Sequence, residues 1–313
     1  MRVFDLHCDT LTVCFSNQEQ LLNDSMSVSL KYVRRDFCWC QTFAVYVPDS
    51  LRGMDAVRYF DAHYRFFGEQ MRSYSAFVAQ VKNVCEIDEV LQSGRCAAIL
   101  SIEGGSAIGP DLSRVRALAE MGVKLIGLTW NAENELGGGF DYEGGLKPFG
   151  VEAVAEMERC GIVVDVSHLN DRGFEDMLQI ARRPFIASHS NARSICNHPR
   201  NLNDAQIKEL IRRRGLLGLN FYERFLSENG PGAIKELLEH IHHILALGGE
   251  DILALGADFD GAQVHEEIGG PHKLSFLYRE LLKSGLPKAI IEKIFFSNAR
   301  AFFERYEAAN ADF

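Results

Sequence analysis

The chain has 313 residues, 47 % of them hydrophobic and 24 % charged, enough to bury a core as one large domain or two smaller ones. Its net charge of −10 argues against nucleic acid and anionic membrane as partners, and the longest basic run, Arg212–Arg214, reads as the end of a helix. No apolar stretch reaches the roughly eighteen residues of a membrane helix, and the opening MRVFDLHCD reads as a strand with no room for a secretory signal, so a cytoplasmic location is expected.

Eight apolar runs bounded by Gly, Pro and polar clusters read as strands. They are VFDLHC (3–8), QTFAVYV (41–47), AAILSIE (97–103), VKLIGLTW (123–130), IVVDVSH (162–168), FIASHS (185–190), LLGLNFY (216–222) and ILALGADF (252–259). Helical periodicity fills most of the gaps. Leu112–Met121, Val151–Cys160 and Asn203–Arg214 are each followed by a glycine (Gly122, Gly161, Gly215) that suits a left-handed helix end. Residues 48–96 carry an aromatic helical stretch, Val57–Met71, expected to be a barrel helix plus an insertion. Lys288–Tyr306 reads as a helix packed outside the barrel. Continuous apolar strands alternating with helices mean parallel strands covered on both faces. Eight of them, without a GxGxxG after the first, predict a single (β/α)8 barrel of the TIM type over residues 1–313. The eight cysteines are scattered, and the closest pair, Cys38 and Cys40, lacks CxxC spacing, so reduced thiols are expected.

In such a barrel chemistry sits where the strands end. His7 and Asp9, Glu103, His168, His189, Tyr222, and Asp258 with Asp260 close six of the eight runs. A buried carboxylate or imidazole is costly unless it meets a partner. His7 and Asp9, two apart on an extended chain, leave the same face, while Cys8 points away into packing. A single histidine at a strand end is more often a hydrogen-bonded rim residue. Three imidazoles and two carboxylates at four strand ends are too many for one open zinc site and suit two metals about 3.5–4 Å apart. Glu103 is the natural bridge between His7/Asp9 and His168/His189.

The series DLHCD (5–9), SIEGG (101–105), DVSHLN (165–170), ASHSNAR (187–193), RNLND (200–204), GLNFY (218–222) and GADFDG (256–261), ending at SNARAFF (297–303), resembles the membrane (renal-type) dipeptidase family of zinc peptidases, within the amidohydrolase-like barrels. The resemblance covers essentially the whole chain. It implies two zinc ions on His7, Asp9, Glu103, His168 and His189, and hydrolysis of dipeptides, including those with a D-residue at the C-terminal position, by a hydroxide shared between the metals. Manganese, iron or cobalt could use the same N/O ligands. The resemblance makes Arg200 the receptor of the substrate carboxylate and Asp258 the proton carrier, with Asp260 as the alternative. Tyr222 is expected to assist by hydrogen bonding, and a homodimer is expected by analogy.

Two features depart from the family. Its well-known mammalian members are exported and lipid-anchored, whereas neither an export signal nor an apolar tail is expected from this sequence. They also place a histidine, thought to contact the scissile carbonyl, where GLTWNAENELGGG (127–139) has Trp130, whose indole can donate but not titrate. Asn131 or His198 could substitute, although His198 reads better as a solvent-facing loop residue. The Gly-rich Glu135–Gly150 is the candidate lid. The rival enzyme reading is a binuclear amidohydrolase acting on a cyclic amide, lactone or N-acyl amino acid.

Overall fold

In the computed structural model, which describes residues 1–309, nine parallel strands form. They are β1 (Arg2–Asp5), β2 (Cys38–Tyr46), β3 (Val78–Gln80), β4 (Cys96–Glu103), β5 (Val123–Gly127), β6 (Val163–Asp165), β7 (Ile186–Ser190), β8 (Leu216–Leu219) and β9 (Leu253–Leu255). Eight of them close into the expected α/β barrel in the order β1-β2-β4-β5-β6-β7-β8-β9, and β9 returns to β1 through Leu255 opposite Asp5. The ninth, β3, was not anticipated. It lies beside the start of β4, pairing Val78 with Cys96, before β5 joins β4 at Leu100. No helix among the described residues is long and apolar enough to cross a membrane.

Several strands are shorter than the apolar runs that announce them. β6, β8 and β9 stop at Asp165, Leu219 and Leu255, yet Val166, Phe221, Ala257 and Phe259 beyond them remain buried. Apolarity there reflects a buried rim rather than ladder pairing. The helices end near their predicted stops. Ser113–Met121 ends on Gly122 at φ 93°, and Pro148–Arg159 is followed by Gly161 at φ 73°. The helix Asp204–Arg213, opened by a capping box of Asn203 and Gln206, differs: Arg214 takes the left-handed position at φ 55°. Gly215 is needed for another reason, because a Cβ there would lie 2.3 Å from the carbonyl oxygen of Phe185.

The expectation for the C-terminal segment is corrected. It runs as Lys288–Glu292, a π-helical turn Lys293–Ser297, and Asn298–Ala308. Instead of lying outside the barrel, its Phe296, Phe302 and Phe303 join one apolar cluster with Phe4, Leu6, Ile99, Leu125, Val163 and Ala254. Those strand residues share the inward parity at the lower half of the barrel. Phe4 stacks on Phe303 with ring centroids 5.5 Å apart and planes 1° from parallel. The segment therefore plugs the mouth opposite the strand C-termini. Phe303→Ala is expected to cost about 3–5 kcal/mol in a urea unfolding curve, as for a large aromatic removed from a close-packed core.

Candidate functional site

The five expected ligands converge at the C-terminal rim. His7 and Asp9 lie just beyond β1, where the chain is kept extended by Cys8 bridging Phe259 and by the Cys8 N–H donating to the Thr42 carbonyl. Cys8 itself packs in the apolar core. Asp9 opens the helix Thr10–Asn17 rather than ending a strand. Even so, His7 Nε2 and Asp9 Oδ2 are 3.3 Å apart. Glu103, the last residue of β4, divides its oxygens. Oε2 is 3.7 Å from His7 Nε2, while Oε1 is 2.6 Å from His168 Nε2 and 3.4 Å from His189 Nε2. The two Nε2 atoms of His168 and His189 are 3.0 Å apart. Asp258 joins the group, with Oδ1 3.8 Å from His7 Nε2. Its φ of 61° marks a left-handed bend where the chain leaves β9. Gly261 is equally constrained, since a Cβ there would lie 1.9 Å from Asp9 Oδ2.

Hydrogen bonds aim both distal imidazoles inward. Asp165 accepts from the N–H and Oγ of Ser167 and from the N–H and Oγ of Ser188. With the Ser188 hydroxyl proton given to Asp165, Ser188 Oγ accepts from His189 Nδ1–H at 2.7 Å, which leaves the Nε2 lone pair facing Glu103. His168 Nδ1–H donates in the same way to Asn131 Oδ1 at 3.1 Å. Asn131 lines the cavity as expected, but its carbonyl oxygen is engaged in orienting His168.

The electrostatics call for a cation. His168, Asp9, Glu103, His7, His189 and Asp258 are all buried. Burial pushes His168 and His189 well below the usual imidazole range, to the neutral form a metal binds; Arg200 and His7 lower the first further, and His7 the second. Burial alone would also lower His7, but the carboxylates of Glu103, Asp9 and Asp258 outweigh it and raise it to about 10. Burial and the neighbouring Glu103 push Asp9 up to about 6, and burial raises Asp258. Asp9 Oδ1 is buried with no hydrogen-bond partner among the described residues. Neutral imidazole lone pairs, crowded carboxylates and an orphaned oxygen fit divalent metal. His7–Glu103–His189 and His7–Asp9–Asp258 each bring three ligand atoms within 4.8 Å of one another.

Above this cluster opens a cavity of about 580 Å³. Arg200 reaches into it from the loop after β7. Its guanidinium is buried, lies 5.3 Å from the Phe225 ring centroid, and leaves one terminal nitrogen without a hydrogen-bond partner among the described residues. Tyr222 and Trp130 also line the cavity, Tyr222 edge-on to Phe225 and Trp130 edge-on to Tyr46 at 4.8 Å. His198 is a cavity-wall residue, not a solvent-facing one. Its ring is tilted against Phe225 with centroids 4.5 Å apart, and its Nδ1 accepts the backbone N–H of Arg200 at 3.2 Å. Asp260 also lines the cavity, but its carboxylate accepts from Thr10 Oγ1 and from the N–H groups of Ser27 and Val28.

The segment expected to act as a lid is tied to its surroundings through Glu135, Leu136 and the glycines 137–139. The side chain of Glu135 accepts from the Gly53 N–H and Ser106 Oγ, Leu136 is buried, and Gly138 donates to the Gly145 carbonyl. Gly139 lies so close to Trp130 that a Cβ would come within 2.0 Å of its carbonyl oxygen. Asp165, Ser188 and Asn220, whose Nδ2 donates to Asp258 Oδ2 at 2.9 Å, carry no ligand signature in the sequence. The serine beside each of the two histidines, SH at 167–168 and 188–189, is the only hint of this support.

A parallel barrel with imidazoles and carboxylates clustered at its C-terminal rim defines a metal-dependent hydrolase. The family model of the membrane dipeptidases, peptidase family M19, matches residues 1–312, and the chain belongs to that family of metallo-dipeptidases. It is 31 % identical over 226 residues to an uncharacterized protein of Klebsiella pneumoniae, 68 % of this chain and 82 % of that protein. It is similar in structure to a metallo peptidase from Rhodobacter sphaeroides liganded with a phosphinate mimic of the dipeptide L-Ala-D-Ala (TM-score 0.91, 26 % identity, 98 % of this chain and 99 % of that one). The dipeptidase AC, a metallo peptidase of family M19, matches similarly (TM-score 0.92, 27 % identity, 98 % of each chain).

Two outcomes follow from the site. Because metal must displace the proton on His7, apparent metal affinity should rise about tenfold per pH unit from about pH 7 to 9. Below about pH 6, where Asp9 also takes up a proton, it should fall more steeply; competition with a chromophoric chelator measures both. Ser188→Ala removes the acceptor of His189 Nδ1–H and should weaken metal binding about 10–100-fold, read by the same competition.

Proposed function

We propose that this metallo-dipeptidase holds two zinc ions, one on His7 and Asp9 and one on His168 and His189, with Glu103 between them. The observation that carries this reading is the divided carboxylate of Glu103, one oxygen toward His7 and the other toward the two distal imidazoles. Three imidazoles among the ligands favour zinc over the oxygen-seeking calcium and magnesium. When bound, such a pair supplies Lewis-acid charge and lowers the pKa of water toward neutrality.

The remaining steps fall to the chain itself. Arg200 receives the C-terminal carboxylate of the dipeptide, where a planar guanidinium matches a planar anion and its unpartnered nitrogen gains an acceptor. Asp258 takes a proton at Oδ1 and passes it to the leaving amine, while Asn220 holds Oδ2. Tyr222 and Trp130 bound the peptide from the sides, and Trp130 can offer an N–H but cannot act as an acid or base. The cavity volume suits a dipeptide, and the ligand of the Rhodobacter sphaeroides relative supports including substrates with a D-residue at the second position.

Metal analysis should give two zinc per chain, and chelation should abolish L-Ala-D-Ala hydrolysis. Asp258→Asn should lower kcat at least about a hundredfold while zinc content stays at two. One metal per chain would remove the binuclear reading. Full activity of Asp258→Asn would remove its proton role.

A further inference from the structure

Arg224 is the one charged residue on the cavity wall that the reading above leaves without a task. It lies in the short helix Glu223–Leu226, next to the rings that seat Arg200, and is exposed at the mouth of the cavity. Its backbone is fixed from several sides. Glu223 N–H donates to the Gln263 carbonyl, Asn201 Nδ2 donates to the Phe225 carbonyl at 2.9 Å, and Cys196 Sγ donates to the Arg224 carbonyl. The side chain is free. Nearby Arg193 is paired with Asp171 on both terminal nitrogens, but Arg224 has no ion pair or side-chain hydrogen bond among the described residues.

The cavity is thus electrically divided. Carboxylates crowd its floor at Asp9, Glu103 and Asp258, where metal binds, and guanidinium groups stand on the wall carrying His198. Burial and the charges of Arg200, Arg193 and Arg224 hold the His198 imidazole below its ordinary range, with Asp141 the opposing carboxylate. The floor is neutralised by cations and Arg200 by the α-carboxylate of a substrate. Arg224 lines the same cavity as Arg200 and is left without an anionic partner among the described residues.

We propose that Arg224 selects dipeptides whose C-terminal residue carries an acidic side chain, pairing with that second carboxylate while Arg200 holds the first. This rests on the dipeptidase reading above and names the substrate class within it. A second carboxylate on the C-terminal residue, of the aspartate or glutamate type, would give Arg224 the partner it lacks. The exposed position of Arg224 sets a modest, screenable contribution.

The test compares kcat/KM for Ala-Asp with Ala-Asn, and Ala-Glu with Ala-Gln, on the zinc-loaded enzyme, in whichever C-terminal configuration is cleaved faster. Each pair differs only in charge. The wild type should favour the acid about five- to tenfold, and 0.5 M salt should erase much of that preference. Arg224→Gln should bring the acid-to-amide ratio close to one, and Arg224→Lys should restore part of it. Because the readout is a ratio, amide turnover by each variant reports folding and metal loading independently. An acid-to-amide ratio of one or less in the wild type, or a preference that survives Arg224→Gln, overturns the proposal while the dipeptidase reading stands. Absence of any dipeptide cleavage by zinc-loaded enzyme overturns both.

Discussion

Everything at the upper rim depends on keeping three carboxylates and three imidazoles within a few ångströms of one another and out of water. Without a cation that arrangement is strained, and the strain falls on His7, which is forced to carry a proton far above its ordinary range. A divalent ion held by these residues would replace that proton and offer the orphaned oxygen of Asp9 a partner. The polypeptide thus preorganises a negative, proton-hungry socket, and the fold must be rigid enough to hold it before any metal arrives.

That rigidity comes from buried polar networks rather than from the ligands. Asp165 gathers four hydrogen bonds from Ser167 and Ser188, and through Ser188 it sets which nitrogen of His189 faces Glu103. Asn220 is bonded to Asn191 through its own backbone and carries Asp258 on its side chain. Phe225 packs against Arg200, His198 and Tyr222 together, so the substrate-facing wall turns on one ring. One side of the cavity comes from strand ends and the other from the loop after β7 and the helix after β8, and Asn191 ties them by donating to the carbonyls of Asn220 and Phe225.

The barrel and the cluster of imidazoles and carboxylates at its rim were legible because both leave local marks. A buried parallel strand needs an unbroken apolar run, and a histidine or acid closing such a run stands out. What escaped reading was set by tertiary contact. β3 is three residues long, too short for a periodic signal. The C-terminal phenylalanines have the spacing of any amphipathic helix, and nothing in SNARAFF tells the barrel's inside from its outside. Gly-rich composition over 135–150 reads as a lid, and only the fold shows that Gly138, Gly139 and Gly150 also serve close approach. His198 looked like a loop residue because only the fold places Phe225 and Arg200 beside it.

Closure of the barrel has a kinetic consequence. Asp5 pairs with Leu255, and the first ligand pair, His7 and Asp9, meets Asp258 only when that seam forms. These are contacts of very high sequence separation, which form late and slowly. A nascent or partly unfolded chain therefore presents scattered single ligands with little hold on metal. Tight capture of the ions becomes a signature of completed folding, and metal depletion should be felt first by chains still assembling.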